Sequence, residues 1–203
     1  MKIVSDAVRN DLARSTPLRI DLGSGRGRKA GYYALDRASV DEPVDIVADL
    51  NEPLDLLPDD SVGEVHTAHV LEHVTNLVGL MEELHRVVRP GGRIDIRVPH
   101  FSNPYHYSDP THVRFFGAFS FYYFASEANQ PRFRKVPSFY SKYRFVVEEV
   151  RITLLLRSSL EHLFFPRLQA FINRSDERRD MFERRLCRLF PADEILFSLR
   201  PDK

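Results

Sequence analysis

The sequence predicts an α/β fold: a doubly wound seven-stranded sheet, mostly parallel, with an antiparallel last strand and a helical insertion. Short apolar runs alternate with helical or loop segments through the first hundred residues. The first run, in PLRIDLGSGRGR, stops abruptly at glycines, as a buried parallel strand does when it enters a turn. A chain of 203 residues suits a single domain, so we expect one domain spanning 1–203.

Seven runs have the length and composition of strands. They are rich in β-branched and aromatic residues and are bounded by glycine, proline or aspartate. In chain order they cover residues 18–22, 32–36, 44–50, 62–70, 93–98, about 143–155 and 194–200. Because strands alternate with helices, we expect a sheet that is covered on both faces.

Helical spacing of apolar residues appears in four places. Residues 5–14 and 76–88 predict helices, and Pro90-Gly91-Gly92 ends the second one. Residues 158–172 predict a third helix with a kink at Pro166, and a fourth begins with Ser175 as its N-cap and ends before Pro191. The last two form a helical insertion at about 157–190, between the last two strands, which we expect to serve as a lid or a dimer surface.

Composition excludes several classes of partner. The chain has 29 basic and 29 acidic residues, so no net field draws it toward nucleic acid or an anionic membrane. No apolar run approaches the ~20 residues of a membrane span. The only cysteine is Cys187, and the N-terminus lacks the apolar core of a signal peptide. We therefore expect a cytoplasmic protein with no nucleic-acid partner and no membrane span, and a homodimer is compatible with this composition.

The glycine turn after the first strand predicts close approach of a ligand. Gly23, Gly25 and Gly27 follow the strand directly, and glycine lets the backbone turn tightly without a Cβ in the way. A dinucleotide fingerprint would place its third glycine where Arg28 stands, which argues against NAD.

From Leu18 to Pro99 the chain resembles the class I S-adenosylmethionine-dependent methyltransferases, which have a Rossmann-like fold. The matching segments occur in the family's order: IDLGSGRG, the strand ending at Asp36, VADL, AHVLEHV at 68–74, and RVVRPGGRIDI. The resemblance implies S-adenosylmethionine as cofactor. It assigns cofactor contacts to Asp21, Gly23, Ser24, Gly25 and Gly27 for the methionine and ribose end, Asp36 for the ribose hydroxyls, Asp49 and Leu50 for adenine, and His69 for closing the methionine pocket.

The chain departs from that family at the first crossover. Only eight residues separate Gly27 from Asp36, so the crossover helix has at most two turns or is replaced by a loop. The contracted segment GRKAGYYALD resembles that of methyltransferases in polysaccharide and cell-surface glycan biosynthesis. This resemblance implies O-methylation of a sugar hydroxyl or of another small molecule.

The segment NPYHYSDPTHVRFF, residues 103–116, follows the fifth strand and is expected to lie above the methyl group. His112 is the predicted general base, with Asp109 orienting it and His106 as second choice. Alternatively Asp109 is the N-cap of a helix with Pro110 in its first position. The spacing of His100, His106, Asp109 and His112 also permits zinc, iron or manganese, although the expectation is a site without metal.

Aromatic residues in the same region predict an acceptor pocket. Tyr105, Tyr107 and Phe115 are expected to wall the substrate, and Arg114 to bind an anionic group or an exposed carboxylate. Core packing explains Phe119 and the aromatic residues at 121–124. Two alternatives remain open: an N-methyltransferase of a small metabolite, and a noncatalytic cofactor-binding or scaffold protein.

Overall fold

The computed structural model describes residues 1–25, 27–37, 43–156 and 159–203. The strands in these ranges are β1 (Lys2–Ile3), β2 (Leu18–Leu22), β3 (Tyr33–Asp36), β4 (Ile46–Val47), β5 (Val62–Ala68), β6 (Val88–Pro99), β7 (Phe145–Leu154) and β8 (Ala192–Pro201). The α-helices are α1 (Asp6–Ala13), α2 (Leu77–Val87), α3 (Ser159–Ile172) and α4 (Asp176–Met181). Among these residues no helix is long and apolar enough to cross a membrane.

The described strands form one sheet in the order β1-β4-β3-β2-β5-β6-β8-β7. Strands β2 to β6 pair in parallel, and β8 enters antiparallel between β6 and β7. This is the predicted fold class. The difference is an eighth strand, β1, whose two residues pair antiparallel with β4 at the edge.

The hydrophobic core lies on one face of this sheet. Leu18, Ile20 and Leu22 of β2 are at most 1% exposed. They belong to the same core cluster as the apolar stripe of α2, which consists of Leu80, Met81, Leu84 and Val87. The aromatic segment at 116–124 packs on the same face, with the ring of Phe121 centred 4.7 Å from that of Phe197 in β8. Phe119, Phe121, Tyr122 and Phe124 are buried, as their predicted role in the core requires.

The other face of the central strands is polar, so the expectation of a sheet covered on both faces is wrong there. Residues paired in neighbouring strands share a face of the sheet. The register aligns Arg19, Glu64 and Arg93 in one row, and Asp21, His66, Asp95, Ser198 and Glu149 in the next. Arg19, Arg93, Arg97 and Glu149 are exposed. The physical reason is the contracted first crossover, in which the described residues 27–32 contain no helix.

The helical insertion closes the β7 edge of the sheet. The side-chain amide of Asn173, just beyond α3, donates to the Ile152 carbonyl and accepts from the Ile152 amide, both at 2.8 Å. The side-chain oxygen of Gln169 accepts from the amide of Leu154 at 2.9 Å. Pro166 lies inside α3, and Ser175 caps α4 by accepting from the amide of Arg178. The next turn, Phe182–Leu186, is π-helical.

Candidate functional site

The glycine turn at the end of β2 brings two loops into close contact. Gly23 has φ +65°, and a Cβ added to it would lie 2.4 Å from Cγ2 of Val70, so this position accepts only glycine without rearrangement. Its amide donates to the carbonyl of Leu35 in β3. Gly25 has φ +51° and donates its amide to a carboxylate oxygen of Asp36 at 3.0 Å. Gly27 has no such constraint, because a Cβ added there would meet nothing within 4 Å.

A cleft of about 430 Å³ opens beside this turn at the carboxyl ends of the parallel strands. That volume lies within the ~300–1,000 Å³ typical of small-molecule sites. Its lining combines two carboxylates with apolar side chains and the bare backbone of the glycine turn. The lining residues are Gly23, Asp36, Arg37, Ala48, Asp49, Leu50, Asn51, Val70, His73, Val74 and Thr111.

The chemistry of this lining fits S-adenosylmethionine. Asp36 ends β3 and presents its carboxylate at the rim of the cleft, where it can accept from ribose hydroxyls. Leu50, Val70 and Val74 supply apolar surface for a flat purine. The cleft therefore brings together Gly23, Asp36, Asp49 and Leu50 from the predicted cofactor set.

Asn51 also lines the cleft, and its hydrogen bonds connect Asp49 to the segment at Thr75 and Asn76. The sequence interpretation does not include it. A carboxylate oxygen of Asp49 accepts from both the amide and the side chain of Asn51 at 2.9 Å, and these bonds lower the pKa of Asp49. The side-chain oxygen of Asn51 accepts in turn from the amides of Thr75 and Asn76. The Asp49-Leu50-Asn51 sequence is a typical Asx-turn pattern, and that signal could have identified Asn51.

Asp21 and His69 lie at other places around the site. Asp21 is 4% exposed, and its carboxylate accepts from the amide of Lys29 at 2.7 Å and contacts Nδ1 of His66 at 2.7 Å. It thereby holds the glycine loop to the sheet. His69, with φ +57°, contacts Glu194 at 3.3 Å. The carboxylates of Glu194 and Glu72 raise the pKa of His69 to about 9.

The segment at 103–116 forms an irregular wall beside the cleft rather than a helix, and Thr111 is its residue that lines the cleft. A short 3-10 turn covers Pro104–Ser108, and no helix starts at Asp109, so the predicted N-cap at that residue is wrong. The Asp109 carboxylate instead accepts from the amide and the hydroxyl of Thr111, which lowers the pKa of Asp109. A proline at 110 fits this tight turn equally well.

Backbone contacts attach this wall to the segment after β5. The amides of Val113 and Arg114 both donate to the carbonyl of Glu72. The guanidinium of Arg114 donates to the carbonyls of Val74, at 2.9 Å, and Thr75. Arg114 thus binds backbone groups of the cleft wall in this structure.

Three histidines meet along the wall. Nδ1 of His112 lies 2.9 Å from the carbonyl of His106, and the two imidazole rings are centred 4.5 Å apart. The ring of His73 lies 4.7 Å from that of His112 on the other side. His106 is 2% exposed, and burial, with the neighbouring His112, lowers its pKa.

The hydrogen bond to the carbonyl of His106 determines the proton position on His112. Since a carbonyl only accepts, Nδ1 of His112 carries the proton, and in the neutral ring Nε2 keeps its lone pair. Nε2 lies 3.7 Å from Asp109, too far for a hydrogen bond. His100 lies away from this cluster, where it is buried against Glu183 at 3.2 Å.

Exposed aromatic rings lie beside the histidines. Tyr105, Tyr107 and Phe115 are 52%, 65% and 55% exposed, in contrast to the buried rings at 116–124. Phe115 packs edge-on against His106 at 4.8 Å and lies 5.3 Å from Tyr107. The three rings are therefore exposed at the surface, and their role as an acceptor wall stays a prediction.

Comparisons with known proteins agree with this geometry. Residues 20–96 match a family model described as a methyltransferase domain. No curated protein sequence matches the chain significantly. Among solved structures, a protein from Bacillus halodurans assigned as a methyltransferase superposes with a TM-score of 0.56 at 15% identity, covering 97% of this chain and 99% of that one.

Two further solved structures show the same fold. A SAM-dependent methyltransferase from Archaeoglobus fulgidus has a TM-score of 0.53 at 19% identity, with 96% and 91% of the two chains covered. A Haloferax volcanii protein assigned as a methyltransferase, solved with the Trm112 methyltransferase activator, has a TM-score of 0.50 at 17% identity, with 95% and 88% covered. The family model, the strand order and the cleft agree, and over residues 20–96 the chain is similar to the class I S-adenosylmethionine-dependent methyltransferases, whose fold it shares.

Proposed function

We propose that the enzyme methylates a hydroxyl group of a small molecule, preferably a sugar, with His112 as the general base. One observation carries this proposal: the carbonyl of His106 holds the proton of His112 on Nδ1, which leaves the lone pair on Nε2, and the ring of His112 packs at 4.7 Å against His73, which lines the cofactor cleft. An alcohol is a poor nucleophile while it keeps its proton, so a lone pair in this place has a chemical use.

The chain's own residues orient the reactants. Asp36 accepts from the ribose hydroxyls, Asp49 and Leu50 contact the purine, and Ser24 and Gly25 lie along the glycine turn. S-adenosylmethionine, when bound, supplies a methyl group already activated by the positive charge on sulfur. Alignment of two reactants contributes roughly 7–11 kcal/mol to such a displacement.

His112 then receives the proton of the acceptor. When S-adenosylmethionine gives its methyl group to the acceptor oxygen and the electron pair of the carbon–sulfur bond stays on sulfur, the hydroxyl proton would move to Nε2 of His112. General base assistance of this kind contributes roughly 100- to 10,000-fold in rate. His106, whose pKa is lowered by burial, stays neutral beside it and positions the ring.

The preference for a sugar rests on the exposed aromatic wall. Tyr105, Tyr107 and Phe115 are exposed, and Tyr107 and Phe115 pack against His106, whose ring lies 4.5 Å from that of the base. Rings of this kind pack on the apolar face of a sugar, and the hydroxyls supply polar contacts.

The helical insertion supports a proposal about assembly. Leu163, Phe164 and Phe171 of α3 are 66%, 61% and 40% exposed, while Leu168 and Ile172 face the core. We place a homodimer contact on the exposed side of α3. A cytoplasmic location is part of the proposal, because the lone Cys187 is buried and unpaired.

The test separates cofactor binding from turnover. Asp36→Ala should weaken binding of S-adenosylhomocysteine about 10- to 100-fold, because it removes charge-assisted hydrogen bonds. His112→Gln should leave this affinity within about twofold and slow turnover by roughly 100- to 10,000-fold. Titration calorimetry measures the first effect, and mass spectrometry of products from a panel of sugars measures the second.

Glu52→Gln, which changes an exposed carboxylate near the cleft, is the matched control and should change neither quantity. Methylation of amines alone, or equal loss of cofactor binding in the His112 and Asp36 variants, would overturn the proposal.

A further inference from the structure

Glu72 is buried without a hydrogen-bond partner. It is 0% exposed, and neither of its carboxylate oxygens has a partner among the described residues. The nearest cationic group, the imidazole of His69, is 3.6 Å from Oε1 and lies closer to Glu194. His69 is thus an ionic contact that Glu72 shares with Glu194, while both oxygens of Glu72 still lack a hydrogen bond. Burying a carboxylate that is not fully compensated costs several kcal/mol, and a bound cation would offset that cost.

Two histidines converge on the same place. Glu72, His73 and His112 each offer one ligand atom, and within the described part of the chain these atoms lie within 4.8 Å of one another. Ligands of one tetrahedral zinc ion lie about 3.4 Å apart, given bonds of about 2.1 Å. The three groups thus need only a small contraction to share a cation.

Hydrogen bonds prepare His73 as a ligand. The hydroxyl of Thr111 donates to Asp109 at 2.6 Å, so toward His73 it can only accept. Nδ1 of His73, 2.9 Å from that hydroxyl, therefore carries the proton, and Nε2 keeps its lone pair. His112 is held in the same way by the carbonyl of His106. Fixing of ring orientation through the other nitrogen is typical of metal-binding histidines.

We propose that Glu72, His73 and His112 bind a divalent cation such as Zn²⁺ or Mn²⁺. Two imidazoles and one carboxylate suit these ions better than Mg²⁺, and a set of three protein ligands leaves coordination positions open. His73 and Thr111 also line the cofactor cleft, so the proposed cation lies at the edge of that cleft.

This inference rests on the proposed hydroxyl methylation and changes one step of it. An acceptor hydroxyl bound at an open position would lose its proton more readily, because the cation stabilises the alkoxide. Nε2 of His112 is then a ligand, and the proton leaves to solvent. Asp109 and Thr111 are positioning residues, since they act through His73.

The first test measures cation binding without any acceptor. Full-length enzyme is stripped with a chelator, dialysed and titrated with Zn²⁺, with Mn²⁺ and with Mg²⁺ by calorimetry. We expect one Zn²⁺ or Mn²⁺ per chain and much weaker Mg²⁺ binding. Glu72→Gln, His73→Gln and His112→Gln should each weaken binding by more than about tenfold, since even outer contacts to a metal ligand are worth roughly 10–100-fold.

His66→Gln is the matched control, because His66 also lies beside a carboxylate, that of Asp21, but on the polar face of the sheet. It should bind the cation as the native enzyme does. Binding of S-adenosylhomocysteine to every variant reports that it is folded. A Zn²⁺ stoichiometry of zero, or binding that survives all three ligand variants, would sink the inference.

Substitution of Thr111 gives a second test, because its result distinguishes positioning of His73 for the cation from a merely structural role of Thr111. Thr111→Val removes the acceptor that fixes the proton of His73 and should weaken Zn²⁺ binding roughly 10–100-fold. Thr111→Ser keeps the hydroxyl and should restore it. If the valine variant binds Zn²⁺ as tightly as the native enzyme, His73 is not a ligand.

The two proposals fail in different ways. Stripped enzyme that methylates a sugar hydroxyl at the native rate refutes the cation site and leaves the hydroxyl methylation standing. Enzyme that binds Zn²⁺ at this cluster but methylates only amines supports the cation site and refutes the hydroxyl acceptor.

Discussion

At the scale of single residues, two glycines of the same turn have different constraints. Gly23 has a positive φ and touches the side chain of Val70, whereas a Cβ on Gly27 would meet nothing within 4 Å. Sequence spacing cannot distinguish them, because both follow the same strand within five residues. The difference depends on Val70, which lies more than forty residues away in the chain.

Gly23→Ala should therefore destabilise the protein by about 1–3 kcal/mol and abolish cofactor binding, because the new methyl group strains the backbone and displaces Val70. Urea unfolding measures the first effect and titration with S-adenosylhomocysteine the second. Gly27→Ala is the control and should leave the free energy of unfolding unchanged or raise it by up to about 1 kcal/mol. Equal destabilisation by both substitutions would contradict the assignment.

Single residues also mark the limit of what the sequence shows about the site. The sequence predicts Asp36 and Asp49 because each ends or follows a strand, and strand ends meet at one edge of a parallel sheet. It does not predict Glu72 and Thr111, since their proposed roles depend on a contact between two loops. A glutamate between Leu71 and Val74 in an apolar stretch was nevertheless a sign of a buried acid.

At the scale of elements, side chains of α2 hold a long connection that has no helix of its own. The guanidinium of Arg86 donates to the carbonyls of Leu54 and Leu57, and the carboxylate of Glu83 accepts from the amide of Leu54. The two side chains also pair with each other at 2.7 Å. They satisfy backbone groups of the segment between Asn51 and β5.

Arg86→Met should lower the free energy of unfolding by about 2–3 kcal/mol, because it leaves partly buried carbonyls and Glu83 without a donor. The Glu83→Gln variant tests how the stability contributed by this ion pair depends on pH. The hydrogen bond with Arg86 is the main cause that lowers the pKa of Glu83 in the folded protein. The stability that ionised Glu83 contributes is therefore fully present above the unfolded pKa of about 4.3, and it is lost as pH falls through the lower folded pKa.

Urea unfolding at pH 7 and at pH 3 checks this dependence. The difference between native protein and the Glu83→Gln variant should be clear at pH 7 and should shrink at pH 3. Glu82→Gln, a change at the next residue of the same helix, should be nearly neutral at both. A Glu83 effect that is constant with pH would refute the ion pair as its source.

Elements also explain the error about the second face of the sheet. The order of the strands was predictable, because the motifs occur in the order of a known family. The polar face was predictable too, from the alternation of Arg93, Asp95 and Arg97 with isoleucine and valine, which is typical of a strand open on one side. For the exposure of this face, the pattern of period two is a better guide than the alternation of strands with helices.

At the scale of the whole molecule, the core is one-sided and α3 is apolar on two sides. Phe165 and Leu168 pack inward, whereas Leu163 and Phe164 are exposed. Neither the proposed active site nor the sheet needs these two exposed side chains, and they are the proposed homodimer contact.

Replacing both Leu163 and Phe164 with serine should convert a dimer into a monomer without lowering cofactor affinity, since the cleft lies at another part of the sheet. Sedimentation equilibrium measures the mass. The control Leu56→Ser changes an equally large exposed side chain in the connection before β5 and should keep the dimer. A native protein that sediments as a monomer at high concentration would refute the contact.

The cap on the edge of β7 should protect the protein from aggregation at high concentration. An edge strand with free amides and carbonyls is a template on which another chain can add, and such addition is a route to aggregation. Asn173 and Gln169 occupy those groups at one edge, and β1 offers only two residues at the other. Loss of both amide side chains would free the edge groups of Ile152 and Leu154 in β7, and we expect the protein to aggregate more readily from this edge.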